Sequence, residues 1–238
     1  MRNITTIARR ELGAYFNSPI AYVVVAVFLL LSALLFFNAL FIQGQAELRE
    51  LFNGFWTTLL VAIVGPAISM RLLAEEKQND TLELLLTMPV TDWQVVLGKY
   101  LAALGLFAFA MAMMALFGVS VRLLGPLDLG PALSGFLGLF FTAAAYIAVG
   151  LMTSSFTKNQ IVAFILGVLI CLSLWLIGKV VPVFPPWLQP TLDWLGADSH
   201  INNLARGVID TRDLLYYATI IFSCLLITQT TLESRRWR

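Results

Sequence analysis

The chain has 238 residues, 59% of them hydrophobic and 12% charged, with a formal net charge of +1. A soluble globular domain carries about 25% charged residues, so this composition excludes an ordinary soluble domain. The near-neutral balance singles out no charged partner, and no nucleic-acid ligand is expected.

Residues 1–18 read as an amphipathic helix. Ile4, Ile7, Ala8, Leu12 and Tyr15 share one face at helical spacing, and Thr6, Arg9, Arg10 and Gly13 share the other. Such a helix lies in a membrane interface. Glu11 is the exception, an acid on the apolar face. It either reaches out to water or meets a basic group on a neighbouring element. Asn17 or Ser18 can cap the next helix, with Pro19 at its first position.

Six uncharged apolar runs follow: Pro19–Ile42, Phe55–Met70 (extending to Leu73 past Arg71), Tyr100–Val121, a span within Leu129–Thr157, Asn159–Gly178 and Leu214–Leu232. Each is near the roughly 20 residues that cross a bilayer as a helix. They are continuously apolar and do not alternate, which favours helices over a barrel. The first is too long for a signal-peptide core and is expected to stay as a span. The expected fold is therefore an all-α membrane protein of six transmembrane helices, a single domain over residues 1–238. Ten of the 15 Lys and Arg residues fall on the side that holds both ends of the chain, which makes that side cytoplasmic. A bacterial inner-membrane location with both termini cytoplasmic is expected.

The loop at residues 74–94 is the most charged stretch. Glu75 and Glu76 mark the end of the second span. Asp80 and Glu83 stand at capping-box spacing, so a short helix is predicted over Thr81–Thr87, with Pro89 blocking its extension. Leu82, Leu84, Leu85 and Leu86 cover most of that helix. It either lies on lipid headgroups or docks into a groove of a cytoplasmic partner. Thr91 and Gln94 form a second capping box that starts the third span.

The third and fourth spans carry small residues at three- and four-residue spacing, among them Ala102, Gly105, Ala112, Ala115, Gly138 and Ala145. Both are expected to be buried in the bundle or to serve a dimer. Thr142, Thr153 and Ser173 are expected to bond back to their own helices. Cys171 and Cys224 read as membrane-core cysteines rather than a disulfide or metal pair. The connection at residues 179–213 holds Pro182, Pro185, Pro186 and Pro190, and its PTLDWLG stretch suggests one short interfacial or re-entrant helix ended by Gly196, with Trp187 and Trp194 at interface depth. His200 reads as an interfacial loop residue, with contact to an outside partner or substrate as the alternative. No phosphate-binding G-x-x-x-x-G-K-[ST] loop and no H-E-x-x-H pair occurs. No acid lies within an apolar run, so no intramembrane protease dyad or proton relay is expected. Catalytic, cofactor and metal residues are accordingly none.

The stretches ARRELGAYFNSPIAYV, MRLLAEEKQNDTLELLLTMPVTDWQVVLGKYLA and SHINNLARGVIDTRDLLYY resemble the ABC-2 family of ABC transporter permeases, and within it the permeases associated with gliding motility. The likeness covers essentially the whole chain in order and spacing. One departure is Asp80, where the family often has Gly. The resemblance implies that Arg9, Arg10 and Glu11 belong to a connecting helix. It implies that Glu75, Glu76, Thr81, Leu82, Glu83, Leu85, Leu86 and Pro89 belong to a coupling helix that contacts a cytoplasmic ATPase subunit. It implies a re-entrant helix before the last span, and a second permease chain, expected to be identical. ATP would be bound by the partner, and this chain would not itself be an enzyme.

Two further classes of function stay open on sequence. One is an ATP-independent membrane protein, such as a sensor or intramembrane enzyme. The other is a mechanical module that passes ATPase motion to extracytoplasmic components, which leaves an accessory protein open as a further partner. The substrate is not legible.

Overall fold

The computed structural model describes residues 2–42, 51–52, 54–81, 90–124 and 128–236, and among these every regular element is helical. In chain order they are α1 (Arg2–Phe16), α2 (Pro19–Ile42), α3 (Phe55–Ser69), α4 (Arg71–Gln78), α5 (Asp92–Leu124) and α6 (Leu129–Phe156). Then come α7 (Gln160–Val180), a 3-10 turn (Val181–Val183), α8 (Gln189–Leu195), α9 (Ala197–Ala205) and α10 (Thr211–Arg236). Six of the described segments are long and apolar enough to cross a membrane: α2, α3 running on through α4, α5, α6, α7 and α10. The protein is an all-α membrane protein.

The helix starts follow local chemistry. Asp128 accepts from the Gly130 amide at 3.1 Å, and Asn159 accepts from Ile161 at 2.9 Å. Both side chains satisfy amides that the first turn of a helix leaves without partners. Ser18 accepts from the Ile20 amide at 3.4 Å, with Pro19 opening α2. Gln94 accepts from the Thr91 amide at 3.4 Å, which is the return arm of the predicted capping box.

The hub is α6, which touches α3, α4, α5, α7, α9 and α10. Its small residues Gly138, Thr142, Ala144, Ala145 and Ala148 are all buried. Gly150 shows why. A Cβ there would lie 2.8 Å from the Pro66 Cα of α3, a backbone atom that cannot yield. Close backbone approach substitutes for the hydrophobic driving force that lipid does not supply.

The small residues of α5 do not all serve packing. Ala102, Ala103, Ala110 and Gly118 face the bundle, whereas Ala112, Ala115, Leu116 and Val119 are exposed. The second buried span is instead α3, where Thr57, Thr58, Val61, Ala62, Gly65 and Ser69 are covered. Helices α2 and α7 present broad bare apolar faces, with Val23, Leu30 and Leu34 on one and Ile161, Ile165 and Leu169 on the other.

The hydroxyls mostly behave as expected. Thr142 bonds to Gly138 O at 2.8 Å, Thr153 to Gly150 O at 3.0 Å and Ser173 to Ile170 O at 2.7 Å. Two also reach across: Thr142 shares a 2.9 Å bond with the Tyr217 hydroxyl, and Thr153 donates to Ala163 O of α7 at 3.0 Å. Cys171 and Cys224 are free thiols within the bundle.

At the end of the bundle far from α1, helix α8 forms over the predicted stretch and stops at Gly196, whose amide donates to Leu192 O at 2.9 Å. Trp187 and Trp194 are exposed beside it. The sequence reading missed α9. Its Ala197, His200, Ile201, Leu204 and Ala205 are buried, and it packs on α6 and α7. His200 is thus not an interfacial loop residue. Its Nδ1 lies 2.6 Å from Asp213 Oδ1, and its Nε2 lies 3.0 Å from Trp194 O. The ring stacks on Tyr216 at 4.0 Å between centroids.

Candidate functional site

The cytoplasm-facing assignment of the sequence gathers at the junction of α1, α4 and α5. Helix α1 folds as the wheel predicts, with Ile4, Ile7, Leu12 and Tyr15 turned inward and Thr6, Arg9, Arg10 and Gly13 exposed. Its apolar face is covered by α5 and by the end of α3. Ile7 packs so closely on Gly98 that a Cβ there would lie 2.7 Å from the Ile7 Cγ2. Tyr15 is buried and its hydroxyl donates to Ile68 O at 2.6 Å. Burial pushes this phenol well above its ordinary range, so it remains a donor.

Glu11 meets a basic partner. Lys99 of α5 is 1% exposed, and its ammonium lies 3.2 Å from Glu11 Oε1 and 2.7 Å from Glu76 Oε1 of α4. Arg10 closes on Glu11 at 2.8 Å. Burial alone would raise the Glu11 carboxyl, but the Lys99 charge and the hydrogen bonds from Arg10 and Lys99 outweigh it, and the carboxyl sits below its ordinary range. The same hydrogen bond to Glu11 raises the Arg10 guanidinium. One buried cation therefore joins three helices through two acids.

A second cation completes the junction. Arg71 pairs with Glu75 at 3.5 Å, donates to Ser18 Oγ at 3.0 Å and lies 5.3 Å over the Tyr15 ring. Between the two cations a cleft of about 220 Å³ opens, lined in part by Glu11, Glu75, Glu76, Arg71, Thr81 and Lys99. Glu76 Oε2 is buried and has no hydrogen-bond partner among the described residues. Thr81 bonds back to Glu76 O at 3.4 Å.

Of the expected site residues, Arg10, Glu11, Glu75, Glu76 and Thr81 come together here, and Arg9 stands exposed on the outer face of α1. Leu82, Glu83, Leu85, Leu86 and Pro89 lie outside the described residues. Beyond Thr81 the helix that Asp80 was expected to cap lies outside the described residues, but the backbone of Asp80 itself is described. Its φ is +54°, and it follows Asn79, whose amide donates to Glu75 O at 3.0 Å. It is therefore the left-handed residue that ends α4. That conformation suits glycine, which has no Cβ to resist it.

Lys99 and Arg71 entered the sequence reading only as charges that set topology. A signal was present. Lys99 falls on the same face of α5 as the buried Val95, Ala102 and Ala103, and Glu11 falls on the apolar face of α1. Each is an anomaly alone, and each resolves the other.

The chain belongs to the ABC-2 transporter family: the pattern described as ABC-2 family transporter protein matches residues 5–231. It is 30% identical over 183 residues to a protein described as the probable multidrug ABC transporter permease YbhR of Escherichia coli strain K12, and equally to its counterpart in strain O157:H7. The match covers 72% of this chain and 47% of each relative, so the chain spans about half the length of the curated relatives it matches.

Proposed function

We propose that this chain is the membrane-spanning permease subunit of an ABC transporter, energised by a separate cytoplasmic ATPase. The observation that carries the reading is Lys99, buried between Glu11 and Glu76, because it ties α1, α4 and α5 into one body beside the 74–94 loop. A partner that pushes on that loop would move the second and third spans together with α1. In this reading residues 1–18 are the connecting helix, residues 74–94 the coupling-helix loop and residues 179–213 the extracytoplasmic loop. ATP is bound by the partner and not by this chain. Two copies of the permease form the pore or the moving body, and the bare faces of α2 and α7 leave area for lipid and for the second copy. Both termini are cytoplasmic in an inner membrane.

The description of the relatives as probable multidrug transporter permeases supports a reading in which small molecules are exported. The likeness to gliding-type permeases supports the second reading, in which ATPase motion is passed to an extracytoplasmic accessory protein. The experiment is co-purification of the chain with the ATPase, followed by ATPase assays in lipid. Truncating Leu82 and Leu85 to Ala should weaken ATPase binding about a hundredfold or more, since each buried leucine contributes roughly 1.5–3 kcal/mol and 1.4 kcal/mol is about tenfold. Stimulation of hydrolysis by a transported compound supports export. Stimulation only by an extracytoplasmic protein supports transmission. Normal binding and coupling in the double variant would leave the loop as a lipid-facing element, and a chain that never captures an ATPase would be an ATP-independent membrane protein.

A further inference from the structure

At the junction of α1, α4 and α5 each acid spends only one oxygen. Glu11 offers Oε1 to Arg10 at 2.8 Å and to Lys99 at 3.2 Å. Glu76 offers Oε1 to Lys99 at 2.7 Å, and Glu75 offers Oε2 to Arg71 at 3.5 Å. These pairs leave Glu11 Oε2, Glu75 Oε1 and Glu76 Oε2 uncommitted among the described residues, and all three acids line the same cleft of about 220 Å³. Glu76 Oε2 is moreover shielded from solvent within the described residues. A carboxylate oxygen in that position calls for a donor, because leaving it bare costs the desolvation of a charged group.

The surroundings do not supply that donor. Lys99 directs two of its N–H groups at the Oε1 atoms of Glu11 and Glu76. Arg71 is occupied by Glu75, by Ser18 Oγ at 3.0 Å and by the Tyr15 ring. The Thr81 hydroxyl turns to Glu76 O. Residues 82–89, which follow Thr81 in the chain, contain no Arg, Lys or His, so the adjoining loop has no cation to offer. The cleft is therefore rich in acceptors and short of donors. The two cations that flank it are already paired, and three acids face a newcomer. A guanidinium answers this arrangement better than an ammonium. It is always charged, it is weakly hydrated, and its planar fork carries five N–H groups that can serve oxygens on separate side chains at once.

We infer that this cleft receives an arginine side chain from the cytoplasmic ATPase, with Glu76 Oε2 as its principal acceptor and Glu75 beside it. The inference rests on the proposed role of the chain as a permease energised by a separate ATPase. An arginine seated there binds the same carboxylate that Lys99 holds by its other oxygen, and Lys99 also holds Glu11. Movement of that arginine therefore acts on α4 directly and on α5 and α1 through Lys99. The cleft would add a second, ionic attachment to the one that the leucines of the 74–94 loop provide.

The test uses the full chain in lipid nanodiscs, with N-acetyl-arginine amide and N-acetyl-lysine amide as probes and the co-purified ATPase as partner. Glu76→Gln keeps the side-chain volume and an Oε1 acceptor for Lys99, but it removes the charge and places N–H donors of its own in the cleft. The arginine amide should raise the thermal midpoint of the parent more than the lysine amide does, and Glu76→Gln should show no such preference. Equal shifts by the two amides, or the same arginine preference in Glu76→Gln, overturn the inference. Capture of the ATPase should weaken about tenfold to a hundredfold in Glu76→Gln, with a spin label at Thr6 of α1 as immobile as in the parent. Parent-level capture overturns the inference, and so does a loss of capture that comes with a mobile α1 label, since Glu76 would then only hold the helix. Arg235→Gln/Arg236→Gln/Arg238→Gln removes the chain's own C-terminal guanidinium groups and should capture the ATPase as the parent does. Loss of the arginine preference for want of those groups would assign the occupant to this chain and overturn the partner. An arginine preference in a chain that captures no ATPase leaves a guanidinium site and removes the proposed function, whereas normal capture by Glu76→Gln leaves the proposed function and removes the inference.

Discussion

Both ends of the bundle bury a bonded acid and base, and they bury them differently. At the far end both oxygens of the buried acid and both nitrogens of the imidazole have partners. Asp213 takes His200 on Oδ1 and Asn203 on Oδ2 (3.3 Å), and the Tyr216 hydroxyl donates to Leu195 O at 2.8 Å. His200 Nε2 faces a carbonyl, which can only accept, so that nitrogen carries its proton. The α8–α9 turn is thereby pinned to the start of α10. At the α1 end Lys99 is as deeply buried, but its two acids are 15% and 18% exposed, a cleft opens beside them, and Glu76 Oε2 has no partner among the described residues. Short rigid side chains hold one end. Long side chains with spare bonding capacity join the other, where a proposed partner would act.

The comparison is broken most directly at the far end. His200→Ala leaves Asp213 buried with only Asn203 and strips Trp194 O of its donor. Removing one member of a buried pair costs about 3–5 kcal/mol. The expected outcome is a large loss of thermal stability in detergent and rapid labelling of a cysteine placed at Ile201, which is buried in the parent chain. A variant as stable as the parent would mean that the cluster does not hold the α8–α9 turn.

Lys99→Ala is the matching change at the α1 end, and it should cost less, about 1–3 kcal/mol, because water can reach both stranded carboxylates. Its effect should be local. Helix α1 should detach while the six spans persist, seen as increased mobility of a spin label at Thr6 without loss of the folded bundle. Equal damage at both ends would erase the contrast between a fixed end and an adaptable one.

Legibility in the sequence divides along physical lines. The spans could be read because transfer into lipid is a property of composition, and Pro19–Ile42 appears with the expected bounds. The face of α1 could be read because 3.6-residue periodicity is local. Helix α9 went unread because four prolines and a run of polar residues mask its apolar positions Ala197, Ile201, Leu204 and Ala205. The Lys99 junction needs three segments at once, up to 88 positions apart in sequence.

Acid sharpens the comparison further. The Glu11 carboxyl is held below its ordinary value of 4.5, mainly against burial and by Lys99 and Arg10. A group with a lowered folded-state pKa gives its full stabilisation above the unfolded value and loses it as pH falls through the folded value. The hold on α1 should therefore be complete at neutral pH and weaken progressively below about pH 4.5. The Thr6 label should gain mobility over that acid range in the parent. In Glu11→Gln it should be partly mobile already at neutral pH, with a flatter response to acid. A parent chain whose α1 mobility ignores acid would show that the apolar packing on Gly98 and Ile68, rather than the ion pair, holds the helix.

The smallest effect concerns Asp80, where the adaptable end begins. Its φ of +54° is a conformation that costs an L-residue about 1–2 kcal/mol, less for Asp than for branched residues. Glycine removes that cost but adds chain entropy of roughly 0.5–1 kcal/mol to be lost on folding. It also removes the exposed pair with Lys158 at 3.5 Å, which contributes little. The terms nearly cancel, so Asp80→Gly should leave thermal stability within about 0.5 kcal/mol of the parent. Asp80→Val should be clearly worse, by about 1–2 kcal/mol, because a β-branched side chain resists left-handed backbone. The ordering Gly at or above Asp, with Val well below, is specific to a residue that terminates α4. A residue that instead caps the following helix would rank Asp first and would tolerate Val only as poorly as any lost cap, so the position of Gly in the measured order decides which helix Asp80 serves.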